Sequence, residues 1–273
     1  MDKLAICYTC CGPTYRKTAR DKLINLHKDN KDIFYFVITE DADYFKDVKR
    51  KNLIVKNLKD FYTEYPHVEK YESFLESENL EDYANKFLAT DYRFPFSVNR
   101  FNFILAKEYN IKNVALLGTD TDINLNCYKS IQNKLKPVNK IYNVVGRWPE
   151  VTSNFNMSVV VDLLKTKYNL TVDEKLVIFD AAGKLFCFDK IDDMMRFFNI
   201  WDDIIETLYK TNKIPLFHGS YAVNNEYILA PIYNALNITD GQINEHAIAE
   251  EFGVHVLNLF TVNHNPEVER PWI

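Results

Sequence analysis

The sequence predicts an α/β fold: a mixed, mostly parallel sheet flanked by helices. Three observations predict it. Leu4 to Thr9, Ile33 to Thr39 and Val114 to Leu117 are short apolar runs, the form of strands buried on both faces. Segments of helical periodicity separate them, so strand and helix alternate as parallel-sheet crossovers require. The last run stops at Gly118-Thr119-Asp120-Thr121-Asp122. That is the carboxyl end of a strand, where open α/β sheets bind ligands.

Each element has a local cause. Leu4 to Thr9 ends in the turn chemistry of Cys10-Cys11-Gly12-Pro13, and a helix from about Thr14 to His27 follows with Leu23, Ile24 and Leu26 on its apolar side. Ile33 to Thr39 is β-branched and aromatic, and again ends on acid, at Glu40-Asp41. A short helix over Asp43 to Lys51 and a strand at Leu53 to Val55 complete a β-α-β-α-β start. The charged, Tyr-rich stretch at about 59–95 reads as a helical insertion. Phe96 to Tyr109 carries Val98, Phe101, Ile104 and Leu105 at helical spacing, with Arg100 among them. Ile141 to Val145, Phe155 to Val161 and Val254 to Val262 read as further strands, and Leu185 to Phe188 as part of a hairpin or helix. Asp192 to Lys210 reads as an amphipathic helix with Met195, Phe198, Ile204, Ile205 and Leu208 inward. Pro231 interrupts a helical pattern over Tyr221 to Leu236. One domain spanning 1–273 is the economical reading, with a C-terminal strand and tail at about 254–273.

Composition narrows the function classes. The 273 residues are 47% hydrophobic and 26% charged, which is globular, and the net charge of -5 supplies no basic field for nucleic acid. Gly12 stands alone after the first strand, so the glycine-rich dinucleotide cradle is missing. Five cysteines without a histidine ladder point to free thiols. The start lacks a secretory leader pattern, and no apolar run reaches the ~18 residues of a membrane span. A cytoplasmic protein is the expectation, with room for peripheral membrane association.

The acidic pair concentrates the chemistry. Asp120 and Asp122, spaced i, i+2, repel each other unless they share a cation or lie solvated in a turn. Carboxylate oxygens suit a hard divalent ion, Mg²⁺ or Mn²⁺, which in turn suits a diphosphate.

Four separated signals then fall in a fixed order: Thr9 with Tyr15; Asp120-Thr121-Asp122; Phe155-Asn156-Met157-Ser158-Val159-Val160; and His264 followed by Arg270-Pro271-Trp272. Together they resemble the retaining, nucleotide-sugar-dependent glycosyltransferases of family 8, the glycogenin and lipopolysaccharide galactosyltransferase group. The resemblance implies a GT-A, Rossmann-like fold and a Mn²⁺ (or Mg²⁺) held by Asp120, Asp122 and His264. It implies that Arg270 pairs with the diphosphate, that Tyr15 stacks near the base beside Thr9, and that Thr121 lies by the ribose. Arg100 matches a donor-contacting arginine, one helical turn further from the acidic pair than in the family pattern. Asn156 matches the family's F-N-[SA]-G, whose Gly is here Ser158. Asn225-Glu226 stands where the family has D-Q near the anomeric carbon, so Glu226 is either a nucleophile or a group that positions sugar hydroxyls. The implied reaction moves a hexose from a UDP-sugar, UDP-Glc or UDP-Gal, to a glycan or other hydroxyl acceptor with retention. An inverting GT-A transferase and a catalytically silent nucleotide-sugar-binding relative are the alternatives.

Overall fold

The computed structural model describes residues 3–26, 30–66, 98–118, 121–134, 140–143, 158–172, 183–188, 191–211, 231–236 and 259–262. Among the described residues the main sheet has six strands: β1 (Leu4–Thr9), β2 (Ile33–Thr39), β3 (Leu53–Asn57), β4 (Asn113–Leu117), β6 (Lys140–Asn143) and β7 (Gly183–Cys187), in the order β3-β2-β1-β4-β7-β6. β1 pairs in parallel with β2 and β4, and β2 with β3, while β7 runs antiparallel to both β4 and β6. The sheet is therefore mixed and mostly parallel. The chain builds outward from β1 through β2 to β3, then returns to β1's other side as β4. That reversal opens a crevice at the carboxyl ends of β1 and β4. A second sheet pairs β5 (Thr121–Ile123) with β8 (Phe260–Val262), antiparallel.

Period-two alternation gives the main sheet two apolar faces. Ala5, Cys7, Phe36, Ile38, Val114, Leu116 and Phe186 face one core. Helices α2 (Arg100–Glu108), α4 (Ser158–Tyr168) and α5 (Ile191–Lys210) close it. Phe103 of α2 meets the rings of Phe186, Phe188 and Phe198 at centroid distances of 5.1 to 5.5 Å. Leu4, Ile6, Tyr8, Tyr35, Val37 and Leu117 face the other core, closed by α1 (Pro13–Asn25) and α3 (Leu125–Ile131).

Several expectations are corrected. Residues 158–161 are not strand: they open α4. The valine run favours a strand locally, but Val160 and Leu164 are buried at i, i+4 against the sheet, and packing overrides propensity. On α1 the buried stripe is Ala19 and Leu23, while Ile24 is 46% exposed, because one residue step turns it about 100° away. The helix expected at Asp43 to Lys51 shrinks to a 3-10 turn at Ala42–Phe45. β7 is neither hairpin nor helix but an inner strand beside β4. On α5 Met194, Phe197 and Trp201 are buried along with Phe198, Ile204 and Leu208, and Met195 is half-buried. Of the pattern over Tyr221 to Leu236 the structure describes only 231–236, helical over 231–235; the rest lies outside the described residues. Most of the 59–95 insertion lies outside the described residues; Leu58–Phe61 is a 3-10 turn whose Phe61 stacks on Phe101 at 4.0 Å.

The five cysteines are free thiols. Burial lifts the Cys10 thiol to about 12, with the Glu40 carboxylate adding to it, and lifts Cys7 and Cys187 as well. Near pH 7 both folded and unfolded chains keep these protons. Above the unfolded thiol range near 8.5, the unfolded chain releases protons that the folded chain retains. Stability is therefore expected to fall as pH rises from about 8 to 11 in urea denaturation, less steeply in Cys10→Ala. A stability that is flat or rising across that window contradicts the burial of these thiols.

Candidate functional site at the strand ends

The carboxyl edge of the parallel strands is organised by fixed polar contacts. Thr9 ends β1; its hydroxyl donates to Asn99 Oδ1 at 2.7 Å and accepts from Asn102 Nδ2 at 3.3 Å. Asn102 is fully buried, so these bonds fasten the end of β1 to α2. Gly12 follows with φ +91, a conformation that costs glycine least. Pro13 then opens α1, and no side chain of the turn caps it. The cap comes from β2's end instead. Glu40 Oε1 accepts from the Gly12 N–H at 2.5 Å and pairs with Arg16, while Oε2 accepts from the Thr39 hydroxyl at 3.1 Å. Asn57 Nδ2, at the end of β3, donates to the Glu40 carbonyl at 3.1 Å. Glu40 thus joins the start of α1 to the end of β2 through its carboxylate and to the end of β3 through its carbonyl. Tyr15, one turn into α1, is 44% exposed at this edge.

The acidic stretch begins where β4 stops. The Thr121 N–H donates to the Gly118 carbonyl at 3.0 Å, closing a turn into β5. Thr121 is fully buried, whereas the Asp122 side chain is 47% exposed. Alternation along β5 sends the two to opposite sides. Lys22 of α1 reaches Asp122 Oδ1 at 2.8 Å and the Thr121 carbonyl at 3.0 Å. Beside this pair lies a cavity of about 870 Å³ whose walls include Ile6, Tyr8, Tyr35, Lys22 and Asp122. Burial, and next the Asp122 carboxylate, push the Tyr8 phenol up, so it stays a neutral hydroxyl.

The strand opposite β5 is the chain's late β8. Thr121 pairs with Val262, Asp122 with Thr261 and Ile123 with Phe260. The Asn124 N–H adds a bond to the Leu259 carbonyl at 2.7 Å, and the Asn124 side chain caps α3.

Of the residues singled out in the sequence, Thr9, Tyr15, Arg100, Thr121 and Asp122 are described; Asp120, Asn156, Asn225, Glu226, His264 and Arg270 lie outside the described residues. Thr121 and Asp122 come together with Lys22 on the α1 side. Thr9 turns to the α2 side. Arg100 is 1% exposed, ion-paired with Asp202 of α5 and set over the rings of Tyr65 and Phe198. Its described contacts fasten α2 to α5. Sequence reasoning missed Arg16, Lys22, Asn99 and Asn102. Only Glu40 left a trace, as an acid directly after a buried strand.

The donor chemistry fits a hard divalent ion, since Asp122 offers carboxylate oxygens on a half-exposed side chain. Among the described residues no group of three His, Cys, Asp or Glu side chains is placed to hold a metal ion. Among them, too, no helix is long and apolar enough to cross a membrane.

No protein-family model and no curated protein matches the chain. Among solved structures it is similar to that of mouse xyloside xylosyltransferase 1 in its apo form, at 10% identity and a TM-score of 0.38, over 87% of this chain and 81% of that one.

Glu40 is the test of the strand-end architecture. Its side chain is 19% exposed and holds a helix N-terminus and a guanidinium at once. Glu40→Ala is expected to cost about 2–4 kcal/mol in urea denaturation, and Glu40→Gln clearly less, because the amide oxygen still accepts from the Gly12 N–H. Equal losses in the two variants would remove Glu40 from this role.

Proposed function

We propose that the chain is a metal-dependent glycosyltransferase of the GT-A type. In this reading it moves a hexose from a nucleoside-diphosphate sugar, UDP-linked, to a hydroxyl of a glycan or other acceptor, retaining the anomeric configuration. The observation that carries the reading is the antiparallel pairing of β5 with β8. The sequence motifs that resemble family 8 lie far apart in the chain, and this pairing supports their convergence. His264 is two residues beyond Val262, and Val262 is paired with Thr121. Two residues of chain span at most about 7 Å, and Asp120 is bonded directly to Thr121.

Asp120, Asp122 and His264 would hold the cation. When bound, Mn²⁺ or Mg²⁺ supplies Lewis acidity toward the departing diphosphate. Arg270 would clamp the phosphate oxygens with its forked guanidinium. Tyr15, exposed at the strand-end crevice, would offer a ring face for the base, while Thr9, bonded toward α2, and the buried Thr121 would shape that edge rather than reach the nucleotide with their side chains. Asn156 would hold sugar hydroxyls. In transfer the bond from the anomeric carbon to the diphosphate oxygen breaks. A bond from that carbon to the acceptor oxygen forms, and the acceptor's proton passes to the departing phosphate. Asn225 and Glu226 belong beside the anomeric carbon in this arrangement. Arg100, packed against Asp202, would act on the donor only through the position of α2.

A thermal-shift panel tests the reading. UDP-sugar with Mn²⁺ should raise the melting temperature well above either alone; ligand at a hundredfold over Kd stabilises by about 2.7 kcal/mol. Asp122→Asn should lose the Mn²⁺-dependent part and the slow hydrolysis of the sugar nucleotide. No response to any nucleotide sugar would refute the proposal. A shift without sugar release would favour a silent relative, and inverted product an inverting transferase.

A further inference from the structure

Asp122 already has a cationic partner. Lys22 sits on α1 between Ala19 and Leu23, both fully buried, so its backbone is anchored. Its ammonium, on a side chain only 20% exposed, bridges Asp122 Oδ1 at 2.8 Å and the Thr121 carbonyl at 3.0 Å. The strands it ties down are small: β5 and β8 have three residues each, and a two-stranded ribbon of that size is marginal alone. The ammonium thus neutralises the carboxylate and fastens the acidic strand to α1 in one contact.

We propose that Lys22 is the resident counter-ion of Asp122 and competes with the divalent cation for it, so that metal binding requires Lys22 to leave. This rests on the metal-dependent reading above. A lysine ammonium and a dication cannot both take the same carboxylate oxygen without strong repulsion, and the doubly charged ion wins when it brings further ligands. The cavity gives the lysine somewhere to go: Asp21 and Asn25 line it too, and both can accept from the ammonium. Release also frees the Thr121 carbonyl, so β5 loosens from α1 as the metal arrives. Lys22 is a positioning residue for β5 in the metal-free protein and a brake on metal affinity.

Isothermal titration of Mn²⁺ alone into the metal-free protein tests this. Lys22→Met should tighten the Kd for Mn²⁺ roughly two- to fivefold, the scale of one partly exposed ion pair removed. It should also lower the metal-free melting temperature and enlarge the Mn²⁺-induced rise. Lys22→Arg, which keeps charge and reach, should stay near wild type. Lys22→Gln keeps a donor for the Thr121 carbonyl without the charge, and should show the tighter Kd even where the methionine variant folds poorly. Unchanged or weaker Mn²⁺ affinity in the uncharged variants overturns the inference while leaving the metal site standing. Absence of Mn²⁺ binding in wild type and variants alike removes the metal reading itself, and the inference with it.

Discussion

Three backbone pairings, Thr121 to Val262, Asp122 to Thr261 and Ile123 to Phe260, tie the acidic turn after β4 to a strand near the far end of the chain. The proposed site depends on that short ladder. Without it, a mid-chain acidic pair and a late histidine and arginine have no reason to meet. With it, Asp120 stands one residue before the ladder and His264 two residues after it. The ladder is too small to hold by itself, and it is supported from outside: the Asn124–Leu259 bond, the turn back to Gly118, and the Lys22 ammonium.

Three carboxylates, two near strand ends and one on α5, are paired with cations from helices. Glu40 takes Arg16, Asp122 takes Lys22, and Asp202 takes the buried Arg100. Burying a guanidinium costs several kcal/mol unless it is paired and hydrogen-bonded, so the Arg100 contacts are the condition for α2 to pack where it does. Each pair also joins two elements that share no backbone bonds, α1 with β2, α1 with β5 and α2 with α5.

Much of this fold is legible in the amino-acid order. β1, β2 and β4 announce themselves as apolar runs because they are buried on both faces. α5 announces itself by spacing, since Phe198, Ile204 and Leu208 must share one face. α4 does not, because consecutive valines favour a strand locally and only Val160 and Leu164 against the sheet reverse that. β7 is hidden for a related reason: it becomes an inner strand only through antiparallel pairing with β4, and no local pattern encodes its neighbour. At the candidate site, the i, i+2 acids and the strand end were readable, and so was the acid after β2. Lys22 was not, since it meets Asp122 across 100 positions. Nor was Glu40's service to α1, because a helix normally takes its cap from its own turn. Arg100 illustrates a different difficulty. It was singled out by its match to a donor-contacting arginine, and the structure adds a partner for its charge in Asp202.

In the proposed site one divalent cation is gripped by the acidic pair together with His264. Anomalous diffraction from crystals soaked with Mn²⁺ and UDP tests it most directly. A single manganese peak is expected, bonded to a carboxylate oxygen of Asp122 and a ring nitrogen of His264, with the Lys22 ammonium moved off. A manganese peak elsewhere, or a loaded structure in which His264 points away from Asp122, would contradict it.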